Sequence, residues 1–238
     1  MNIVIIPCYK VKNKILLVIK NIPKEINKII IVDDLCPENT GDYVKKKIKS
    51  NRIIVIKNKK NLGVGGATIK GFKVSKKYKP KLIFKVDGDN QIKPIEINNF
   101  MKIISKDKKI DCAKGDRFSK YKNFREMPIS RFFGNKVLTC IGKVVTGYYN
   151  INDFTNGFFC LKSSCLNKIN LDKISKDYFF ENDMMIALSS INAKVVSIPT
   201  FCSYKGNQSN LVIYKIVIPF LYKFIIGFLN KKKFKKFM

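Results

Sequence analysis

The chain has 238 residues, 46% of them hydrophobic, and a formal charge of +30 from 47 basic and 17 acidic side chains. That length and apolar share can bury one sizeable core, which excludes a disordered chain and fits a single large α/β domain. Histidine is absent, which excludes Ser-His and Cys-His nucleophile systems and any His-ligated metal.

Only four of the basic residues are arginine (Arg52, Arg117, Arg125 and Arg131), and the chain is crowded with Lys, Asn and Ile. That bias reads as AT-rich codon choice, with lysines scattered over solvated faces. A basic nucleic-acid-binding protein is the alternative of another class, but no reader motif is present and nucleic acid is not an expected partner. The seven cysteines are dispersed without a C-x-x-C pair, which fits reduced, buried thiols and no zinc site.

In chain order, the first apolar β-rich run covers residues 3–6 and is followed by Pro7-Cys8-Tyr9. It is too short for a signal peptide and has no basic stretch ahead of it, so the protein is expected to stay in the cytoplasm. A helical segment at 11–22 precedes a second run, 29–32, which ends in Asp33-Asp34. Helical character at 41–49, a run at 53–56 and a helix at 67–77 come next. The run 82–86 then ends in Asp87-Gly88-Asp89, ahead of a helical segment at 95–105 and a weaker run near Cys112-Ala113. Strands alternating with helices predict a mostly parallel sheet covered on both faces. The glycine stretch NLGVGGATIKGF, residues 61–72, matches neither a P-loop nor a dinucleotide fingerprint, where Thr68 would have to be glycine. It reads as a turn opening the helix at 67–77.

In such a sheet, ligands bind outside the carboxyl ends of the strands, so the acidic strand ends converge on one rim. D-G-D alone is a common turn. Beside Asp33 and Asp34, however, it gathers several carboxylates that would repel each other without a compensating cation. Mg²⁺ or Mn²⁺ suits oxygen donors and substrate phosphates. Asp89 is the expected ligand with Gln91 beside it, and Asp87 is expected to face a nucleoside.

PCYK, IIIVDDLCPENTGD, NLGVGGATIKGF, VDGDNQIKP, GDRF, SRFFGN, DFTNGFFCLK and FFENDMMI together resemble, in order and spacing, the family 2 glycosyltransferases. Similarity is greatest to the branch of dolichyl-phosphate mannosyltransferase and the bacterial polyprenyl-phosphate glycosyltransferases, and it covers residues 1 to about 211. The resemblance implies a GT-A fold, a UDP- or GDP-sugar donor, a divalent metal and a lipid-linked acceptor. Pro7, Tyr9 and Asp34 match positions lining the nucleotide pocket, and Asp87-Gly88-Asp89 matches the D-x-D with Gln91 as its polar follower. With Asp33, and with Arg117 matching the arginine that meets a donor diphosphate or acceptor phosphate, these make up the expected donor site. Arg131, Asp153, Asn156 and Gly157 match acceptor-side elements. Lys10 and Val11 depart from the usual P-x-Y-N-E, and Phe159-Cys160 stand where an arginine is common.

A polyprenyl phosphate is already an anion and needs charge compensation, whereas a sugar hydroxyl needs a general base. Transfer to a saccharide hydroxyl in cell-envelope polysaccharide synthesis is therefore the alternative. Asp183 of FFENDMMI is the candidate base for it, although Glu181 and Asp183 also suit a helix N-terminus.

Residues 211–229 form a 19-residue apolar stretch interrupted by Lys215 and Lys223, which disfavours spanning a bilayer. At about 80° apart the two lysines share one helical face. With the basic NKKKFKKF after it, the segment reads as an interfacial helix on anionic lipid; a core-packed terminal helix is the other reading. The expected organisation is a catalytic domain at 1–210 and a membrane-associating segment at 211–238. The protein would then be peripheral on the inner face of the cytoplasmic membrane, as a short form or with a separate membrane-protein partner.

Overall fold

The computed structural model describes residues 1–119, 127–204 and 213–236, with side chains in the last segment described from 218 onward. Its elements are β1 (Asn2–Cys8), α1 (Lys12–Lys20), β2 (Lys28–Asp33), α2 (Thr40–Lys47), β3 (Ile53–Lys57), α3 (Gly63–Ser75), β4 (Leu82–Lys85), α4 (Ile97–Lys106) and β5 (Cys112–Asp116). They continue with α5 (Ile129–Thr146), β6 (Phe159–Lys162), α6 (Ser163–Asn167), α7 (Phe180–Ser190), β7 (Val195–Pro199) and α8 (Ile213–Leu229).

The seven strands form one sheet in the order β3-β2-β1-β4-β6-β5-β7. All neighbours pair parallel except β6, which runs antiparallel to both β4 and β5. The runs of β1, β2 and β4 are buried on both faces, across which successive side chains alternate, whereas the edge strand β3 is half-buried. Ile3, Ile5, Ile30, Val32 and Ile83 pack with Phe72 of α3 and Phe180 of α7, while Val4, Ile6, Ile29, Ile31 and Phe84 pack with Ile15 and Val18 of α1 and Phe100 of α4. Helix α3 starts at Gly63, four residues ahead of the expected position, and the chain turns into it at Gly63 with φ +78°, which a glycine adopts without strain.

The C-terminal helix packs against the start of α7 through Phe220 and Phe224, whose rings each lie 4.9 Å from that of Phe179. Lys223 is half-buried and pairs with the exposed Asp177 at 2.5 Å. The outward face of α8 is apolar: Ile218, Tyr222, Ile225, Phe228 and Leu229 are exposed. The expected boundary at 210/211 and the side chain of Lys215 lie outside what the structure describes. No helix among the described residues is long and apolar enough to cross a membrane.

Candidate active site

Because β6 alone is antiparallel, the loop that leads into it reaches the same rim as the carboxyl ends of β1, β2, β4 and β5. The strand order changes direction at β1/β4, where a crevice forms. Pro7 is a buried strand residue in register with Val32, and Tyr9 stands exposed just beyond it with the Lys10 ammonium 5.6 Å from its ring centre. Asp33 is fully buried, with its Oδ1 accepting from the Cys36 N–H at 2.7 Å and its Oδ2 from the Gly41 N–H at 2.6 Å. Both of its oxygens therefore shape the β2–α2 loop. Asp34 Oδ1 accepts from Asn58 Nδ2 at 2.7 Å and from the Leu62 N–H at 2.8 Å, tying the end of β2 to the turn before α3.

At the end of β4, Asp87 Oδ1 meets the Lys85 ammonium at 2.5 Å, and that ammonium also donates to Glu181 Oε1 of α7 at 3.1 Å. Asp89 Oδ1 accepts from the Gln91 N–H at 3.0 Å, and the Gln91 carbonyl accepts from the Ser203 N–H at 2.9 Å. Burial and the neighbouring Asp87 charge push the Asp89 carboxyl above its ordinary range. Gly88 is buried between them, against Val11.

Beyond β5, Arg117 and Asp153 form a buried two-point pair, Nε to Oδ2 at 2.6 Å and Nη2 to Oδ1 at 2.8 Å, with Nη2 also donating to Thr155 Oγ1 at 2.8 Å. Burial works against the Asp153 charge, but the Arg117 guanidinium outweighs it and holds the carboxyl below the usual range. Lys114 donates to the Asn156 carbonyl at 2.6 Å, and burial pushes its ammonium down to about 8. Arg131, in the first turn of α5, lies 5.2 Å from the Tyr204 ring centre. Burial raises the Cys202 thiol, against the charges of Arg117 and Arg131, which act to lower it.

The sequence profile of glycosyl transferase family 2 matches residues 3–169. The chain is a family 2 glycosyltransferase. Among its relatives is UDP-N-acetylglucosamine–dolichyl-phosphate N-acetylglucosaminyltransferase of Methanococcus voltae, 28% identical over 209 residues, covering 82% of each chain. Another is undecaprenyl-phosphate mannosyltransferase of Micrococcus luteus, 24% identical over 186 residues, covering 77% of this chain and 75% of that one. The fold is GT-A. It superposes on glucosyl-3-phosphoglycerate synthase from Mycobacterium tuberculosis in its UDP complex with a TM-score of 0.70 at 11% identity, covering 97% of this chain and 79% of that one. A complex of the same synthase with Mn²⁺, UDP and product superposes with a TM-score of 0.66 at 12% identity and the same coverage.

In this glycosyltransferase the two acidic residues of FFENDMMI part company. Two positions apart on a helix, they project about 200° from each other. Glu181 faces the D-x-D through Lys85, whereas Asp183 Oδ2 accepts from the Ser175 N–H at 2.8 Å. Asp183 lines a separate cavity of about 160 Å³ with Tyr222, Lys223 and Lys233, beneath α8, and burial raises its carboxyl. Arg117 likewise gives two of its donor positions to Asp153.

Among the described residues no cluster of three or more His, Cys, Asp or Glu could hold a metal. What the D-x-D offers is oxygen from Asp89 beside the Asp87 charge, a donor set that suits a hard divalent cation whose remaining ligands come from phosphate and water. The expectations drawn from sequence omit Lys85 and Lys114. Their signal is a lysine inside an apolar strand run, LIFKV and CAKGD, where a cation is rarely buried unless paired.

Proposed function

We propose that this glycosyltransferase moves a glycosyl group from a UDP- or GDP-sugar to a lipid-linked phosphate of the polyprenyl phosphate class, with Mg²⁺ or Mn²⁺ held by Asp89 and Gln91. The observation that carries the choice of acceptor is the orientation of α7. A hydroxyl acceptor needs a base beside the donor, yet Asp183 opens into the cavity under α8 and Glu181 is engaged by Lys85. A phosphate acceptor needs compensating positive charge, which Arg131 offers from beside the Tyr204 ring. The relatives named for dolichyl and undecaprenyl phosphate support the same class.

Tyr9, Asp34 and the backbone around Pro7 and Gly88 wall the nucleotide, and Asp87 accepts hydrogen bonds from it. Asp33 supports this wall by setting the β2–α2 loop. Arg117 orients the Asp153–Asn156 loop on the acceptor side and adds charge facing the phosphates. The Mn²⁺ complex of the structural neighbour supports the metal; when bound, a divalent cation stabilises charge developing on the leaving diphosphate. The apolar outer face of α8 and the lysines at 231–236 suit an anionic membrane surface on the cytoplasmic side, where a lipid acceptor resides. A separate membrane-protein partner would dock on the same face.

The test incubates the purified chain with Mn²⁺ or Mg²⁺, a panel of UDP- and GDP-sugars and polyprenyl phosphate, and identifies the glycolipid. Asp89→Asn is expected to lower metal-dependent turnover on the order of 100-fold, while Asp183→Asn retains it. Full activity of Asp89→Asn sinks the metal assignment. Transfer to a saccharide hydroxyl that disappears in Asp183→Asn replaces the phosphate acceptor with the hydroxyl one.

A further inference from the structure

Lys85 is 1% exposed and sits in β4 between Phe84 and Val86, which are fully buried. An ammonium in such a place is unfavourable unless it is paired. Its two partners differ: the side chain of Asp87, 2.5 Å away, is 41% exposed on the rim, while that of Glu181, 3.1 Å away, is 9% exposed. Lys85 thus joins a carboxylate that a ligand can reach to one that stays inside. The ion pair places Lys85 directly behind Asp87, two residues past the end of β4.

Gly157 closes the arrangement from the opposite side. A Cβ there would collide with both Asp87 Oδ2 and Lys85 Nζ, so the loop backbone packs directly on the ion pair. That loop is itself held by Lys114, which donates to the carbonyl of the preceding Asn156 at 2.6 Å. Asp87 is therefore confined by an ammonium behind it and a glycine beside it.

We propose that Lys85 is a positioning residue of the donor site, holding one Asp87 oxygen from behind so that the other is presented to the nucleotide, with Glu181 as its buried counterion. This rests on the reading of Asp87 as a nucleotide contact. Lys85 touches no substrate; it acts through Asp87.

Replacing Lys85 alone leaves Glu181 buried and unpaired, so Glu181→Gln serves as the background and Lys85→Met/Glu181→Gln as the test, the buried pair becoming neutral together. Calorimetry with Mn²⁺ measures the Kd of UDP and of GDP for the parent and both variants, and thermal unfolding reports their fold. The double variant is expected to unfold close to Glu181→Gln yet bind nucleotide about tenfold or more weakly, as losing a charge-held hydrogen bond entails. In turnover the loss should fall on the donor KM rather than on kcat. Equal Kd values in the two variants overturn the proposal. A parent that binds neither UDP nor GDP overturns it together with the nucleotide reading of Asp87, whereas a parent that binds with an unaffected double variant leaves that reading standing. Should the double variant not fold, Gly157→Ala decides: it displaces Asp87 without changing any charge, and a folded Gly157→Ala protein with parental Kd refutes the positioning role.

Discussion

Asp33 and Asp153 are both fully buried carboxylates on the same rim, yet they are stabilised by opposite means. Asp33, at the end of β2, is met by two neutral backbone N–H groups from the next eight residues, Cys36 and Gly41. Asp153, ahead of β6, is met by the guanidinium of Arg117, 36 residues away. Glu181 meets Lys85 in the same long-range manner, whereas Asp87 lies only two residues along the chain from it. On the β1–β3 side Asp33 is thus held by its own local turn, while on the β4–β6 side Asp153 and Glu181 are held by charges that meet only after folding. Removing one member of a buried ion pair leaves an uncompensated charge, which costs more than an unmade neutral hydrogen bond.

The largest effect should follow Arg117→Met, which strands Asp153: about 3–5 kcal/mol of stability lost, read from urea unfolding midpoints. Asp33→Ala should cost less, about 2–3 kcal/mol, since it leaves two buried N–H groups unpaired but no charge. Equal losses in the two would break the contrast between the two sides. The smallest effect is one of slope. Burial places the Lys114 ammonium at about 8 against 10.5 in a free lysine, so between those pH values the unfolded chain binds the extra proton. Stability from this group therefore rises as pH increases from about 8 to 10.5. Lys114→Met should remove that rise, and parallel slopes for parent and variant over that window would show that Lys114 is not buried as a cation on this side.

The same division decides what could be read in advance. The runs at 3–6, 29–32, 53–56 and 82–86 became β1 to β4, and the acidic ends of β2 and β4 fell on one rim, because parallel strands inside a sheet are mostly apolar and turn polar where they leave it. The resemblance to family 2 glycosyltransferases likewise rested on short contiguous motifs. Strands β6 and β7 were not anticipated. Phe159–Lys162 and Val195–Pro199 are only 4 and 5 residues long, and whether so short a run pairs parallel or antiparallel depends on partners far along the chain. The choice between Glu181 and Asp183 was equally hidden, since the rotation of α7 against the sheet determines which of them meets Lys85.

Sequence by itself determined the parallel scaffold, the D-x-D at a strand end and the family, because these depend on local periodicity and on residues adjacent in the chain. Tertiary structure alone decided that Glu181 meets Lys85, that Asp183 belongs to a different cavity, that Arg117 answers Asp153, and that Lys223 pairs with Asp177 while the described outer face of α8 is apolar. The Lys85–Glu181 and Arg117–Asp153 pairings join distant groups, and the energy that selects them, the cost of burying a charge without its partner, exists only once the core has closed.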